Sequence, residues 1–313
     1  MAAATSPKQG RKIAIVGASG NVGDPTVAAL LAEGIHTVTV ITRPDSSATF
    51  PAGVARVERG SYSDAEFLAE ALAGQDALVL LLGFTSMEQQ EPLIRAAARA
   101  GVKVVLPTEF GSDTEPTPLL EQTPLLQAKK RPRDLIESLG MTWIAVVTNP
   151  WLEYNLVNGS WGFDIKKRTA RLIDGGDVKF ITTTIGTVGR ATAGLLSLPD
   201  AELARFRNAP FYARSFRTTQ REFLASLQRA TSTTTPEADW QVELLDGEQE
   251  CGDADAQGGV GGMMRKFFAL HLRDGFGGDY GAKVGGNMEL VGAVEAESLD
   301  EAVSRVVRQV EGH

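Results

Sequence analysis

Cysteine is almost absent from this chain. One thiol among 313 residues, Cys251, forms no internal disulfide and builds no thiolate metal site, which points to a reducing compartment. Histidine is scarce as well. His36, His271 and His313 show no metal-ligand spacing, and none lies beside an obvious nucleophile in sequence, so metal hydrolysis and Ser-His-Asp catalysis find little support. His36, ahead of a strand, and His313, the final residue, suit structural or solvated places. Long apolar runs are missing too. The longest, residues 77–84 (ALVLLLGF), falls far short of the ~20 residues of a membrane helix. The leading MAAATSPKQGRK has no apolar core of a secretory signal, and its first nine residues, small and polar, are expected to be dispensable. A cytoplasmic protein away from membranes is the expectation. Positive charge is also in deficit. Lys plus Arg number 31 against 39 Asp plus Glu, a net −8, which argues against a general nucleic-acid binder. Last, the Tyr-x-x-x-Lys pair of ordinary short-chain dehydrogenases is absent: Tyr62, Tyr154, Tyr212 and Tyr280 are followed four residues on by Glu66, Asn158, Phe216 and Val284.

What is present is a folded, two-part chain. Hydrophobic residues make up 43% and charged residues 22%, a globular balance, and the length suggests two domains of ~150 residues each. In the first half short apolar strands alternate with amphipathic helices. Strands are expected at 12–16, 37–42, 54–57, 77–82, 102–106 and 142–147, and helices at 21–33, 64–72, 91–100 and 124–139. Continuously apolar strands in β-α-β order predict a doubly wound parallel sheet, covered on both faces, over residues 1–150. Beyond Asn149 the rhythm breaks. Residues 151–164 mix aromatics with Gly and Asn and suit pocket lining better than regular core. Helices are expected again at 188–198, 219–231, 263–272 and 299–310, with loops at 232–235 and at the acidic, glycine-rich 248–262. Residues 151–313 then form a smaller α+β substrate lobe, parts of which return to the first domain.

After the first strand comes Gly17-Ala18-Ser19-Gly20-Asn21-Val22-Gly23, a G-x-x-G-x-x-G leading into a helix. That context makes it a candidate dinucleotide loop: Gly17 for the sharp turn, Gly20 for approach of a pyrophosphate, Gly23 for close helix–strand packing. The helix N-terminus offers N–H groups and partial positive charge to the anion, and Ser19 can add a hydroxyl. The second strand ends at Thr42-Arg43-Pro44, where an NAD site usually has an acid. Arg43 suits the 2′-phosphate of NADP instead, by bidentate contact and stacking on adenine; Asp45 close by blunts that preference.

These residues, with the segment AGVKVVLPTEFGSD at 100–113, Lys129 and Arg133 followed by Ile136-Glu137, Thr148-Asn149 with Trp151 and Tyr154, and the late GFGGDYGAKVGGNMELVG at 275–292, resemble the isoflavone reductase and phenylcoumaran benzylic ether reductase group of NmrA-like atypical short-chain dehydrogenases. The likeness runs over nearly the whole chain, and its late segment looks most like fungal secondary-metabolism members. It implies that Lys129, four residues before Arg133, is the general acid/base, with the adjacent Lys130 as competitor. It implies a cofactor site of Gly17, Ala18, Ser19, Gly20, Asn21, Val22, Gly23, Arg43, Gly83, Phe84, Thr108, Glu109, Phe110, Lys129, Arg133 and Asn149. Three departures stand out: Ser61 and Thr187 where the family has Asp, and Pro132 inside the helix after the lysine.

The resemblance thus implies an NADPH-dependent reductase of an aromatic or polycyclic natural-product intermediate, a monomer or homodimer without nucleic-acid or membrane partners and without a metal. An NADP-binding redox sensor without turnover and a redox-neutral isomerase on the same scaffold remain open.

Overall fold

A computed structural model of the chain describes residues 8–232 and 239–312. His313, residues 233–235 and most of the leading segment, on which expectations were placed above, lie outside the described residues.

Among the described residues twelve strands occur in order: β1 Lys12–Val16, β2 Thr37–Thr42, β3 Arg56–Arg59, β4 Ala77–Leu80, β5 Val104–Leu106, β6 Thr142–Val147, β7 Phe163–Asp164, β8 Thr169–Ile173, β9 Phe180–Thr182, β10 Ala209–Tyr212, β11 Phe216–Thr218 and β12 Gln241–Leu245. Seven of them make one parallel sheet in the order β10-β6-β5-β4-β1-β2-β3. The chain winds outward from β1 through β2 to β3, then returns to the other side of β1 at β4. That reversal opens a crevice at the carboxyl ends of β1 and β4, where doubly wound sheets bind ligands. The expected fold class is the observed one.

Side chains alternate faces along each strand, and the core divides accordingly. Ile13, Ile15, Val38, Val40 and Val79 pack on one face. Ala14, Val16, Ile41, Leu78 and Leu80 pack on the other. Both faces being apolar is what made the strands read as continuous hydrophobic runs. On the first face the helices Gly23–Ala32 and Ile185–Leu196 meet closely, because a Cβ on Gly189 would stand 2.5 Å from the Pro25 carbonyl oxygen.

The second half has its own core of Leu156, Trp161, Phe163, Phe180, Phe223 and Val306, among others. It is built on the small sheets β12-β8-β7 and β11-β9, with the helices Gln220–Ala230 and Leu299–Glu311 against them. Strand β10, by contrast, joins β6 in the main sheet.

Several expectations change. The third strand is Arg56–Arg59 rather than 54–57; it is the polar edge of the sheet, so hydrophobicity mislocated it. The loop expected at 248–262 is two helices, Gly247–Gln257 and Gly259–His271, joined where Gly258 and Gly259 take φ of 63° and 60°. Asp246 caps the first, its carboxylate accepting from the Gln249 N–H at 2.8 Å. Residues 151–164 hold a helix, Leu152–Val157, and their aromatics split: Trp161 and Phe163 are fully buried core, while Tyr154 is exposed. Lys8 and Gln9 are not idle either. The Gln9 N–H donates to Ser197 O at 2.8 Å, its Oε1 accepts from the Asp200 N–H at 2.9 Å, and Lys8 pairs with Glu33.

Candidate active site

The loop after β1 is shaped by contacts that only glycine allows. Gly17 sits at φ 85°, and a Cβ there would stand 2.2 Å from the Leu81 carbonyl oxygen at the end of β4. On Gly23 a Cβ would fall 2.0 Å from Gly17 O. The Gly20 N–H closes the turn on Gly17 O at 3.0 Å. Ala18 and Val22 bury their side chains in the core, whereas Ser19, Gly20 and Asn21 are exposed. No side chain caps the helix Gly23–Ala32; the Asp24 N–H is taken by Gly20 O at 3.1 Å and Pro25 has none, which leaves the N–H groups of Val22 and Gly23 as backbone donors. A cleft runs from this loop to the second half, lined by Ser19, Gly20, Asn21, Tyr154, Ile185 and Arg305.

The other expected residues distribute along the carboxyl edge of the sheet. Arg43 ends β2 with a largely free guanidinium, its nearest carboxylate being Asp45 at 3.9 Å. Gly83 and Phe84 follow β4 and are exposed. Thr108 staples β4 to β5: its hydroxyl donates to Leu80 O at 3.1 Å and accepts from the Leu82 N–H at 3.3 Å. Phe110 is buried at φ 28°, and its carbonyl accepts from the Trp151 indole N–H at 3.0 Å. Asn149, at φ 52°, has no exposed surface. Its amide nitrogen donates to Ile181 O at 3.1 Å and Gly278 O at 2.7 Å. Asn149 is therefore a clamp at the end of β6 and presents no side-chain surface to a ligand.

Around Glu109 the charges converge. Lys129 Nζ donates to the Glu109 carbonyl oxygen at 2.5 Å and stands 4.0 Å from its carboxylate. On the opposite side Arg133 Nε is 3.6 Å from Glu109 Oε1, and its guanidinium lies 5.0 Å over the Trp143 ring. All three side chains are nearly buried. Burial pushes the Lys129 ammonium below its usual value; Glu109 opposes this and Arg133 adds to it. Burial pushes the Glu109 carboxyl up, against the pull of both cations. Lys130, by contrast, points outward and pairs with Asp134 at 2.5 Å. Pro132 explains the contrast. The expected 124–139 helix is two, Pro124–Ala128 and Lys130–Ser138, with Lys129 at the joint. Pro132 falls in the first turn of the second, where its missing N–H costs nothing.

Two features escaped sequence reasoning. Ser112 Oγ lies 2.7 Å from His271 Nε2, although no histidine was expected beside a nucleophile. Both residues are buried and His271 Nδ1 bonds Phe267 O at 2.7 Å, so the pair is a staple that no substrate reaches. His36 is structural as expected, its Nδ1 accepting from the Arg11 N–H at 3.1 Å. The second feature is Glu295. Its carboxylate accepts from the hydroxyls of Thr184 at 2.7 Å, Ser215 at 2.8 Å and Thr187. A carboxylate from a distant segment thus meets Thr187, the position where the family resemblance puts Asp. Among the described residues no cluster of metal-ligating side chains occurs, and no helix is long and apolar enough to cross a membrane.

A family model described as NAD(P)H-binding matches residues 17–164. The oxidoreductase poxI of Penicillium oxalicum is 31% identical over 304 residues, covering 93% of this chain and 92% of that protein. Two solved structures share the fold over 95% of this chain and 99% of theirs. One is AtPrR2 with NADP+ and (+)-pinoresinol, at 22% identity and a TM-score of 0.78; the other is an isoflavone reductase, at 20% and 0.77. The chain belongs, with poxI, to the NAD(P)H-binding oxidoreductases, and its fold is that of the isoflavone reductases. It is an enzyme of that oxidoreductase class.

Proposed function

We propose that this enzyme is an NADPH-dependent reductase of an aromatic or polycyclic natural-product intermediate, with Lys129 as its general acid. The observation that carries the reading is Lys129 itself. It is the lysine turned inward to the carboxyl end of β5, desolvated, with its ammonium held by the Glu109 carbonyl.

The residues present fit a dinucleotide. Gly17 and Gly23 have no room for a side chain, no side chain caps the following helix, and the exposed Arg43 is free to take a 2′-phosphate. Loop residues 17–23 hold the pyrophosphate in this reading, with Gly83, Phe84 and the 108–110 loop bounding the nicotinamide end. Asn149 holds the second half in place behind them. When bound, the nicotinamide supplies hydride to an electron-poor carbon. The chain does the rest: Lys129 Nζ gives a proton to the substrate atom that takes up negative charge and regains one from water. A lowered lysine pKa brings that proton closer to transferable at neutral pH. Exposed Tyr154 and Phe84 offer rings to a flat substrate.

The test is reduced-nicotinamide absorbance with NADPH and a panel of phenolic and quinone substrates. Lys129→Ala should lower turnover by about 10²–10⁴-fold while cofactor still binds. Equal loss from Lys130→Ala with Lys129→Ala harmless would overturn the assignment. Cofactor binding without turnover of any substrate would favour the redox-sensor reading.

A further inference from the structure

One buried carboxylate at this site serves two buried cations. Glu109 has 2% of its side chain exposed, Lys129 11% and Arg133 10%. Lys129 Nζ and Arg133 Nε approach different oxygens of the same carboxylate, at 4.0 and 3.6 Å. The hydroxyl of Thr114 donates to Oε2 at 3.3 Å, and Oε1 has no hydrogen-bond partner. Glu115, 43% exposed and 4.0 Å from Arg133, is a second anion beside it but a solvent-screened one. The other charges around the trio are committed elsewhere: Asp113 takes Lys283 at 2.6 Å and the Tyr212 hydroxyl at 3.2 Å, and Lys130 pairs outward with Asp134.

We propose that Arg133 is a positioning residue that draws on the charge of Glu109 and thereby leaves Lys129 short of a counter-ion of its own, ready to release its proton. A guanidinium does not deprotonate in proteins. When two cations share one anion in a desolvated site, the lysine is the cation able to relieve the excess charge. Arg133 thus has a role distinct from the cofactor contact that the family resemblance implies. The helix Lys130–Ser138 sets the arrangement: it begins immediately after Lys129 and carries Arg133 one turn further on.

The inference rests on the reading of Lys129 as the acid only for its catalytic consequence, so ionisation and turnover are measured separately. Lysine labelled with ¹³C at Cε is followed by NMR across pH, with Lys129→Arg identifying the signal. In the native chain Lys129 should titrate below the other lysines. Arg133→Met should raise its midpoint by about one unit or more, by removal of the competing cation. Arg133→Lys should restore it, and Glu109→Gln should lower it. The same displacements are expected in the limb of the kcat/KM profile that reports the acid. An unmoved or lowered midpoint in Arg133→Met, or a raised one in Glu109→Gln, overturns the proposal; should Arg133→Met fail to fold, Arg133→Gln, which also removes the charge, decides in its place. If the midpoint moves as described while the kcat/KM profile does not, the tuning stands and the assignment of Lys129 as the acid falls.

Discussion

Arg43 stands at the end of β2 with its guanidinium largely exposed and Asp45 3.9 Å away. A charge-assisted hydrogen bond to a 2′-phosphate contributes on the order of 1.5–3 kcal/mol, and ~1.4 kcal/mol is tenfold in affinity. NADPH should therefore bind roughly ten- to a hundred-fold more tightly than NADH, less if Asp45 repels the phosphate. Arg43→Ala should erase most of that preference and leave NADH binding nearly unchanged. Calorimetric titration of both cofactors decides it; equal weakening of both would remove Arg43 as selector. At this scale the tight packing at Gly17 and Gly23 was legible in their spacing, whereas Lys129 was singled out by the family resemblance and its catalytic role is a proposal. Asn149 and Arg133 were not legible as what they are. Their partners, Gly278 for one and Trp143 for the other, come from elsewhere in the chain, and no local pattern announces them.

Among the elements, the helix Ile185–Leu196 depends most on missing side chains. A Cβ on Gly189 would stand 2.5 Å from Pro25 O, and one on Gly194 2.1 Å from Val291 O. Neither neighbour is a side chain able to swing away, so the backbones must separate. Gly189→Ala should cost about 1–3 kcal/mol, the usual scale of overpacking, despite alanine's higher helix propensity. Because Pro25 lies in the first turn of the helix that follows the glycine loop, cofactor affinity should fall as well. Urea unfolding showing no loss of stability would refute the close packing. Sequence reading at this scale succeeded where period and burial agree, as in β1, β2, β6 and the helical residues 263–271, and failed at residues 248–262. There glycine and acid composition outweighed a helical face of Cys251 and Ala254. Composition describes what a segment exposes, whereas its packing partners decide what it forms.

Across the whole molecule, polar contacts that start near both ends of the described chain reach segments distant in sequence. Gln9 bonds Ser197 and Asp200, so a chain beginning at Gly10 should be less stable in thermal unfolding than one beginning at Lys8, contrary to a dispensable leader. Glu295, just before the Leu299–Glu311 helix, gathers Thr184, Thr187 and Ser215, with Arg190 3.2 Å from its carboxylate. Burial alone would raise its pKa, but the hydroxyls of Thr187, Thr184 and Ser215 and the Glu297 N–H outweigh burial and hold it at about 2. An ordinary glutamate in the unfolded chain titrates near 4.3. The folded state thus binds the proton less tightly than the unfolded state, so stability from this group is present above about pH 4.5 and is lost as pH falls towards 2. Glu295→Gln removes the charge without removing the shape. The variant should be less stable than the native chain at pH 7, and the difference should shrink steadily between pH 5 and pH 3, because the native carboxylate is then the one losing its advantage. Parallel urea titrations across that range measure it. A difference that stays constant with pH would mean that Glu295 acts by packing alone, and its charge beside Thr187 would have no energetic role.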